Sequence, residues 1–343
     1  MEFILDCLCN RLSKSDIGLI DEQRWADILE LTKKKNISAL ILYNLKKQNL
    51  FIYLPPSIQD LLENDYYAVL GQNIQALEEL SVVLKALSEH NLKVIILKGV
   101  FIITAVYDNV ALRPMTDMDM LMHQKDSTLI KKIFSELGYN LIEDNQNNSL
   151  TFMKQDYRPI EVHWDTLSFN KYKGIIRINE SEFWDGTLEF KIGTDTFLAL
   201  SIEDNILYLC IHLCLNHFFS NIIWLYDIKL ILETYRQKID WDKLLKKAET
   251  SGIGPAVYYC LYWSQTLLDA NIETDTLKRL RPSFLRRVFL DYFSKKAFII
   301  DDFESHYISH ICQLLMIERL PDVFRMSLRI LLTRLKGLKK SFN

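Results

Sequence analysis

Two aspartates at alternate positions, Asp117 and Asp119, are the residues of this chain best suited to chemistry. Acidic and apolar residues alternate over 117–120, within a β-strand predicted at 117–122, so both aspartates are expected on one face. Their Cα atoms are then expected to lie roughly 6.6 Å apart, at about 3.3 Å per residue. Two carboxylates this close repel each other, and a hard divalent cation relieves that repulsion. The pair therefore predicts a Mg²⁺ site.

A strand followed by a glycine turn precedes the acidic pair. The apolar run 94–97 has the length and the β-branched content of a buried strand, and 100–107 is predicted to be a helix. Lys98 and Gly99 lie where the strand gives way to the helix. This segment and the acidic strand are therefore expected to belong to one α/β core.

A third strand of this core is predicted at 160–164. Alternation there places Glu161 and His163 on one face and the apolar residues on the other. A helix is predicted at 126–138, and the remaining strand candidates are 139–143, 150–154, 189–192 and 197–200. Together these elements predict an α/β (α+β) fold with a small mixed sheet.

Helices are predicted on both sides of the core. An N-terminal helical region ends in a long helix that begins at Pro55-Pro56-Ser57, where Asp60 is placed to complete a capping box with Ser57. After residue 200 the strand patterns disappear, and helices of ordinary length follow. We therefore predict three regions: N-terminal helices at 1–90, the core at 91–200 and a C-terminal helical bundle at 201–343.

Composition narrows the functional classes. The 343 residues are 49% hydrophobic, enough for a substantial core, and the formal charge of −3 gives no overall basic field for nucleic acid. The six cysteines form no CxxC motif, and no apolar run reaches the 18 or so residues of a membrane span. The N-terminus also lacks the pattern of a secretory signal. We expect a cytoplasmic protein with reduced thiols.

The order of these motifs resembles the uncharacterised nucleotidyltransferase family of bacteria, part of the polymerase-β-like nucleotidyltransferase superfamily. The motifs that carry the resemblance are Leu-Lys-Gly at 97–99, Arg-Pro-x-Thr-Asp-x-Asp-x-Leu at 113–121, Leu-Gly-Tyr at 137–139 and Glu-Val-His-Trp at 161–164. The match is firm over 90–165 and continues more weakly through His212, His217, Trp224 and Asp227.

The resemblance implies a metal site made by three carboxylates. Asp117 and Asp119 match the aspartates that hold Mg²⁺, or Mn²⁺ in its place, against the triphosphate of an NTP. Glu161 matches the third carboxylate, a metal ligand or the general base on the acceptor hydroxyl, although the superfamily commonly has aspartate there. Asp119→Asn is expected to abolish activity, because a ligand of the metal is lost. Its stability is expected to hold or rise, because two adjacent carboxylates without a metal repel each other.

The resemblance also implies a nucleotide-binding set. Gly99 matches the glycine that lets phosphate approach the backbone at a helix N-terminus, and Lys98 is a candidate phosphate contact. Arg113 is expected either to grip phosphate oxygens or to orient the aspartates by a salt bridge. His163 is expected to support the site or to be an ordinary hydrogen-bonded histidine. The sequence departs from the superfamily at Val100, where serine is usual.

The implied reaction is transfer of a nucleoside monophosphate from an NTP to a hydroxyl or phosphate acceptor, with release of pyrophosphate. The acceptor is a small molecule, a peptide or a protein, with RNA less expected. One alternative is an inactive binding module, which the missing serine favours and the intact acids, Asp117, Asp119 and Glu161, oppose. Another is an RNA-directed toxin, ranked lowest because the basic residues cluster at the C-terminal end rather than near the motifs.

Two further features stay open in the sequence. The five-residue spacing of His212 and His217 places them about 140° apart on an α-helix, which suits packing better than a shared zinc ion. With Asp227 they form an alternative lining for the acceptor. The segment 321–340 is basic and amphipathic, and three interpretations fit it: the solvated face of a bundle helix, an RNA-binding surface or a membrane-binding surface.

Overall fold

The fold was analysed in a computed structural model that describes residues 1–145, 148–167, 172–192, 195–299 and 306–341. Side chains are described at these positions apart from 192, 195, 299, 306–307 and 332–341. The chain divides into two compact units, each treated separately below. The first comprises 1–165, 186–201 and 267–269, and the second comprises 166–185, 202–266 and 270–343.

The first unit begins with helices, as the sequence predicts. They are α1 (Glu2–Leu8), α2 (Lys14–Gly18), α3 (Glu22–Lys34), α4 (Ser38–Lys47) and α5 (Pro56–Glu89). Asp21 caps α3 by accepting a hydrogen bond from the Arg24 amide at 2.8 Å. The N-cap of α5 is Pro55, without a side-chain capping bond, so the predicted capping box at Ser57 is wrong. Prolines at the N-cap and at the first helical position begin this helix instead.

A mixed seven-stranded sheet follows in the described part of the first unit, in the order β3-β4-β5-β2-β1-β7-β6. Its strands are β1 (Ile95–Ile96), β2 (Met118–Leu121), β3 (Asn140–Asn145), β4 (Ser149–Met153), β5 (Ile160–His163), β6 (Leu188–Ile192) and β7 (Asp195–Ala199). The pairs β1–β7 and β2–β5 are parallel, and the other neighbours are antiparallel. The predicted α/β class with a mixed sheet is confirmed.

The three strands predicted to carry the site are neighbours, in the order β5-β2-β1. All four residues of β2 and both residues of β1 are buried, so this part of the sheet lies inside the core. Two helices flank these strands along the chain, α6 (Lys98–Ala105) and α7 (Ser127–Glu136). The strand candidates 139–143 and 150–154 are present as the antiparallel pair β3 and β4, and residues 146 and 147 lie outside the described residues.

The second unit is helical, which agrees with the loss of strand patterns after residue 200. Its helices are α8 (Glu180–Asp185), α9 (Ile202–Ile211), α10 (Ile222–Thr234), α11 (Trp241–Ser251), α12 (Gly254–Leu268, whose last two residues belong to the first unit), α13 (Thr274–Arg279), α14 (Phe284–Ile299), α15 (His306–Leu315) and α16 (Leu320–Ser341). The short helices α8 and α13 were not predicted. The division into three regions remains a prediction. Among the described residues, no helix is both long and apolar enough to cross a membrane.

A buried asparagine on α5 anchors the segment that leads into β2. The side-chain amide of Asn73 donates to the carbonyl oxygens of Val110 and Arg113, at 2.5 and 2.9 Å. Asn73 is almost fully buried, so these carbonyls would have no solvent to replace it. The long helix therefore fixes the entry to the strand that carries the acidic pair.

Asn73→Ala is expected to lower the free energy of unfolding by about 1–3 kcal/mol, because the buried Arg113 carbonyl and the part-buried Val110 carbonyl lose their donor. Urea unfolding followed by circular dichroism measures the change. Glu78→Ala, an exposed position on the same helix, is the control and is expected to stay within about 0.5 kcal/mol of wild type. Equal effects from the two substitutions would contradict the anchoring role of Asn73.

Candidate active site

The acidic residues meet because β2 and β5 are parallel and in register. Asp119 pairs directly with Glu161 across the two strands, so their side chains lie next to each other on one face. His163 follows two residues after Glu161 and shares that face. Ligand atoms of Asp119, Glu161 and His163 all lie within 4.8 Å of one another. A cluster of two carboxylates and an imidazole is therefore built into the sheet.

Asp119 is the buried centre of this cluster. Its Oδ1 accepts hydrogen bonds from Lys98 Nζ at 2.9 Å and His163 Nε2 at 2.8 Å, and only 2% of the side chain is exposed. Burial acts to raise the pKa of Asp119, but Lys98 and His163 outweigh burial and hold the pKa well below its ordinary value. Asp119 is therefore a charged carboxylate with two fixed partners.

The two other carboxylates are shifted in the opposite direction. Burial first, and then the charge of Asp119, raise the pKa of Glu161 and of Asp117. His163 and Lys98 oppose the shift of Glu161, and Lys98, Thr116 and Arg113 oppose the shift of Asp117. The negative charge of the site is thus incompletely neutralised by its own cations, which is the condition that a divalent cation relieves.

Asp117 occupies a different position from the other acids. It lies immediately before β2, is half-buried and accepts a hydrogen bond from Thr116 Oγ1 at 3.0 Å. Among the described residues, the close group of ligand atoms contains Asp119, Glu161 and His163 but not Asp117. The role of Asp117 as a metal ligand stays a prediction.

His163 is held in one orientation by its acidic neighbours. Nε2 lies 2.8 Å from Asp119 and 3.5 Å from Glu161, while Nδ1 is buried and finds no hydrogen-bond partner among the described residues. When the imidazole is neutral, the carboxylates favour the tautomer with its proton on Nε2. His163 therefore donates to Asp119.

The turn from β1 into α6 has an unexpected conformation. The residue with positive φ is Lys98, at 41°, whereas Gly99 already belongs to the first turn of α6. A Cβ at position 99 would lie 3.0 Å from Arg113 Nη1 and 3.4 Å from Met115 Cγ. Glycine at this position therefore makes room for the Arg113 guanidinium, and the phosphate contact predicted for Gly99 stays a prediction.

Val100 and Arg113 both lie next to this turn, and Val100 is the residue that departs from the family motif. Val100 is 1% exposed within α6, so an apolar residue suits a position where serine is usual in the superfamily. Arg113 is buried, donates from Nη1 to the Pro114 carbonyl at 3.3 Å, and acts to lower the pKa of Asp117. Arg113 thus already balances acidic charge, and its predicted grip on phosphate remains a prediction.

Sequence reasoning missed the contact between Lys98 and Asp119. Lys98 was a candidate for phosphate binding, and nothing in the spacing of two residues 21 positions apart indicates an ion pair. The left-handed backbone at Lys98 and the burial of Asp119 bring the two together, and both depend on the assembled sheet.

In the second unit, the expected separation of the two histidines is wrong. Residues 212–216 form a π-helical turn, closed by a hydrogen bond from the His217 amide to the His212 carbonyl at 3.2 Å. The two rings lie 4.5 Å apart, and both contact Trp224, at 4.9 and 4.4 Å between ring centroids. Asp227 is fully buried. The histidines therefore form one aromatic cluster with Trp224.

The mixed sheet, with Asp119 and Glu161 on adjacent parallel strands, agrees with the nucleotidyltransferase core that the family resemblance implies. The sequence pattern of the uncharacterised nucleotidyltransferase family matches residues 21–269, and the chain belongs to that family. Among solved structures, the chain is similar to the lincosamide antibiotic adenylyltransferase LnuA bound to lincomycin, at 12% identity and a TM-score of 0.35. That match covers 46% of this chain and 96% of the other. No curated protein matches the chain.

Removing the amine that faces Asp119 is expected to destabilise the protein. Lys98→Met should lower the free energy of unfolding by about 2–4 kcal/mol at neutral pH, because a buried carboxylate loses one of its two partners. Lys93→Met, at an exposed position in the same segment, is the control and is expected to have little effect.

The pH dependence of this loss follows from the depressed pKa of Asp119. A depressed carboxylate pKa contributes stability above the unfolded value of about 3.9, and this contribution fades as the pH falls below it. The difference between wild type and Lys98→Met is therefore expected to narrow below about pH 3.9, as measured by urea unfolding. A difference that widens on acidification would contradict the ion pair.

Proposed function

We propose that this protein transfers a nucleoside monophosphate from an NTP to a hydroxyl or phosphate acceptor and releases pyrophosphate. The in-register pairing of Asp119 with Glu161, with Lys98 and His163 bound to Asp119, carries this proposal. Membership of a nucleotidyltransferase family supports the reaction class. The acceptor that we propose is a small molecule, a peptide or a protein.

The donor set fits a divalent cation. Carboxylate oxygens of Asp119 and Glu161 are the hard ligands that Mg²⁺ prefers, and the imidazole of His163 is compatible with Mn²⁺ as well. We assign Asp119 and Glu161 as ligands, with Asp117 as the third carboxylate. When bound, such a cation neutralises triphosphate charge and lowers the pKa of the attacking hydroxyl.

Lys98 and Arg113 supply the positive charge that an NTP requires at a site with three carboxylates. Lys98 Nζ lies against Asp119, and the turn that carries it places the first amides of α6 close by. Backbone N–H groups at a helix N-terminus favour phosphate oxygens. We therefore assign Lys98, Gly99 and Arg113 to the triphosphate, with His163 holding Asp119 in place.

Glu161 is assigned two roles, because a carboxylate has two oxygens: one is a ligand of the cation and the other is the candidate general base. In the cation-free site the pKa of Glu161 is raised by burial and by Asp119, and about a third of its side chain is exposed. A carboxylate with these properties accepts the proton of an acceptor hydroxyl more readily than the buried Asp119, whose pKa is depressed. The proton moves from the hydroxyl to a Glu161 oxygen as the new bond to phosphorus forms.

A binding module without catalysis is the second candidate. The ion pair between Lys98 and Asp119 satisfies the central carboxylate without a cation, which favours this alternative. The test is incubation of the purified protein with each NTP, labelled on the α-phosphate, together with Mg²⁺ or Mn²⁺ and a cell extract. Label transferred to an acceptor supports the enzyme, whereas NTP binding without transfer supports the module.

Asp119→Asn is expected to reduce transfer on the order of 10²-fold or more, because the central charge of the site is lost. Its melting temperature is also expected to fall, since Lys98 loses its counterion. In thermal melts, Mg²⁺ and NTP together should raise the melting temperature of the wild type but not that of the variant, since the variant has lost a ligand of the cation.

Asp156→Asn is the matched control, with the same charge change at an exposed turn residue of positive φ that asparagine tolerates. It should keep full transfer and the full ligand-induced rise in melting temperature. Activity of Asp119→Asn at the level of this control would refute the catalytic assignment of the acidic pair.

A further inference from the structure

The last helix, α16, exposes its apolar side. Leu320, Phe324, Leu328 and Leu331 are 75%, 71%, 46% and 54% exposed, whereas Asp322 and Met326 are buried. At about 100° per residue, the four exposed residues fall within an arc of about 80°, roughly opposite Asp322. The solvent-facing side of α16 therefore carries apolar residues in addition to the exposed Arg325 and Arg329. The basic side chains beyond residue 331 lie outside the described residues.

Helix α14 has the same exposure pattern. Phe284, Leu285, Val288 and Tyr292 are 57–80% exposed, while the opposite side of the helix packs inward through Leu290 and Ser294. The four exposed positions fall within about 100° of arc. Exposed apolar rows on two helices of one unit are typical of an interaction site. We call the eight exposed residues of α14 and α16 the apolar strip.

The beginnings of the two helices adjoin. Arg286 Nη2 donates to the Glu318 carbonyl at 2.8 Å, which ties α14 to the segment just before α16. A cleft of about 450 Å³ lies at this junction. Its charged lining residues are Arg279, Arg281, Arg286, Glu249 and Glu318. Guanidinium groups beside the ends of the apolar strip suit anionic oxygens such as those of phosphate.

The charge of the chain is strongly asymmetric around this surface. Residues 279–343 contain thirteen Lys or Arg and six Asp or Glu, a formal charge of +7, although the whole chain carries −3. Each basic residue near an anionic membrane contributes about 1 kcal/mol of attraction. The apolar strip therefore lies in the one strongly cationic stretch of an otherwise acidic protein.

We propose that the apolar strip binds the surface of a membrane rich in anionic lipid, with the strip inserted among the headgroups and the arginines against lipid phosphate. Five of the eight residues in the strip are aliphatic, and aliphatic side chains cannot stack on bases as the rings of RNA-binding surfaces do, so the strip suits RNA less well than lipid. A second copy of the chain would bring two stretches of +7 together, which opposes pairing through this surface. An anionic lipid surface accommodates both parts of this surface: its acyl region buries the apolar side chains and its phosphates attract the cations.

Vesicle flotation with the full-length protein tests the proposal. We expect the protein to bind vesicles that contain about one third phosphatidylglycerol and to bind phosphatidylcholine vesicles much more weakly. Binding to the anionic vesicles should fall as the salt concentration rises from about 0.1 to 0.5 M. The double variant Phe324→Gln/Leu328→Gln should weaken partitioning on the order of tenfold or more. Both side chains are exposed, so its melting temperature should match the wild type.

Leu19→Gln is the matched control, a similarly exposed apolar residue far along the chain from the strip, at 78% exposure, and should bind as wild type. Three outcomes would overturn the proposal: no binding to anionic vesicles, equal loss in the control, or equal binding to both lipids. Gel filtration of the same variants tests for a dimer, and a filter-binding assay tests for an RNA complex. A dimer or an RNA complex that the double variant abolishes would assign the strip to those partners instead.

Discussion

The buried charge of Asp119 is the constraint on which the site depends. A carboxylate out of water costs several kcal/mol unless fixed partners replace its hydration. Lys98 from the start of α6 and His163 from β5 provide these partners, so Asp119 on β2 holds three elements in one arrangement. A slip of one residue between β2 and β5 would turn Asp119 to the opposite face and separate it from both. The polar contacts thus enforce the register that also brings Glu161 into place.

Most of what the sequence predicted about the sheet and the site came from patterns among residues close together in the chain. Alternation identified β2 and β5, and the shared face of Glu161 and His163 followed from a period of two residues. The α/β class followed from predicted strands and helices that share the segment 94–138. The partner of Asp119 did not, because Lys98 reaches it through a left-handed turn that the local sequence does not encode. Consequently the structure changes the expected effect of Asp119→Asn on stability from no loss to a loss. Relief of repulsion predicted no loss, but the lost counterion of Lys98 predicts one.

The helical part shows a different limit of periodicity. Spacing gives the angle between two side chains only if the helix type is known, and the π-helical turn at 212–216 rotates His217 towards His212. Spacing also does not tell which side of an amphipathic helix is inside. In α16 the inward side is marked by Asp322, which is 1% exposed and bound by Arg177 at 2.8 Å and by Arg325 at 3.1 Å. These ion pairs leave the apolar side outside.

A cation and the Lys98 ion pair need not compete for the same atom. Both hydrogen bonds that Asp119 receives in the described part of the chain end on Oδ1. A carboxylate has two oxygens, so Oδ2 of Asp119 can bind a cation together with Glu161 while Oδ1 keeps its partners. Lys98 would then stay beside the cation, where its charge adds to the attraction for a triphosphate. Under the proposed function, a fixed ammonium would need no reorganisation during the reaction, so the ion pair that stabilises Asp119 would also prepare the site for a triphosphate.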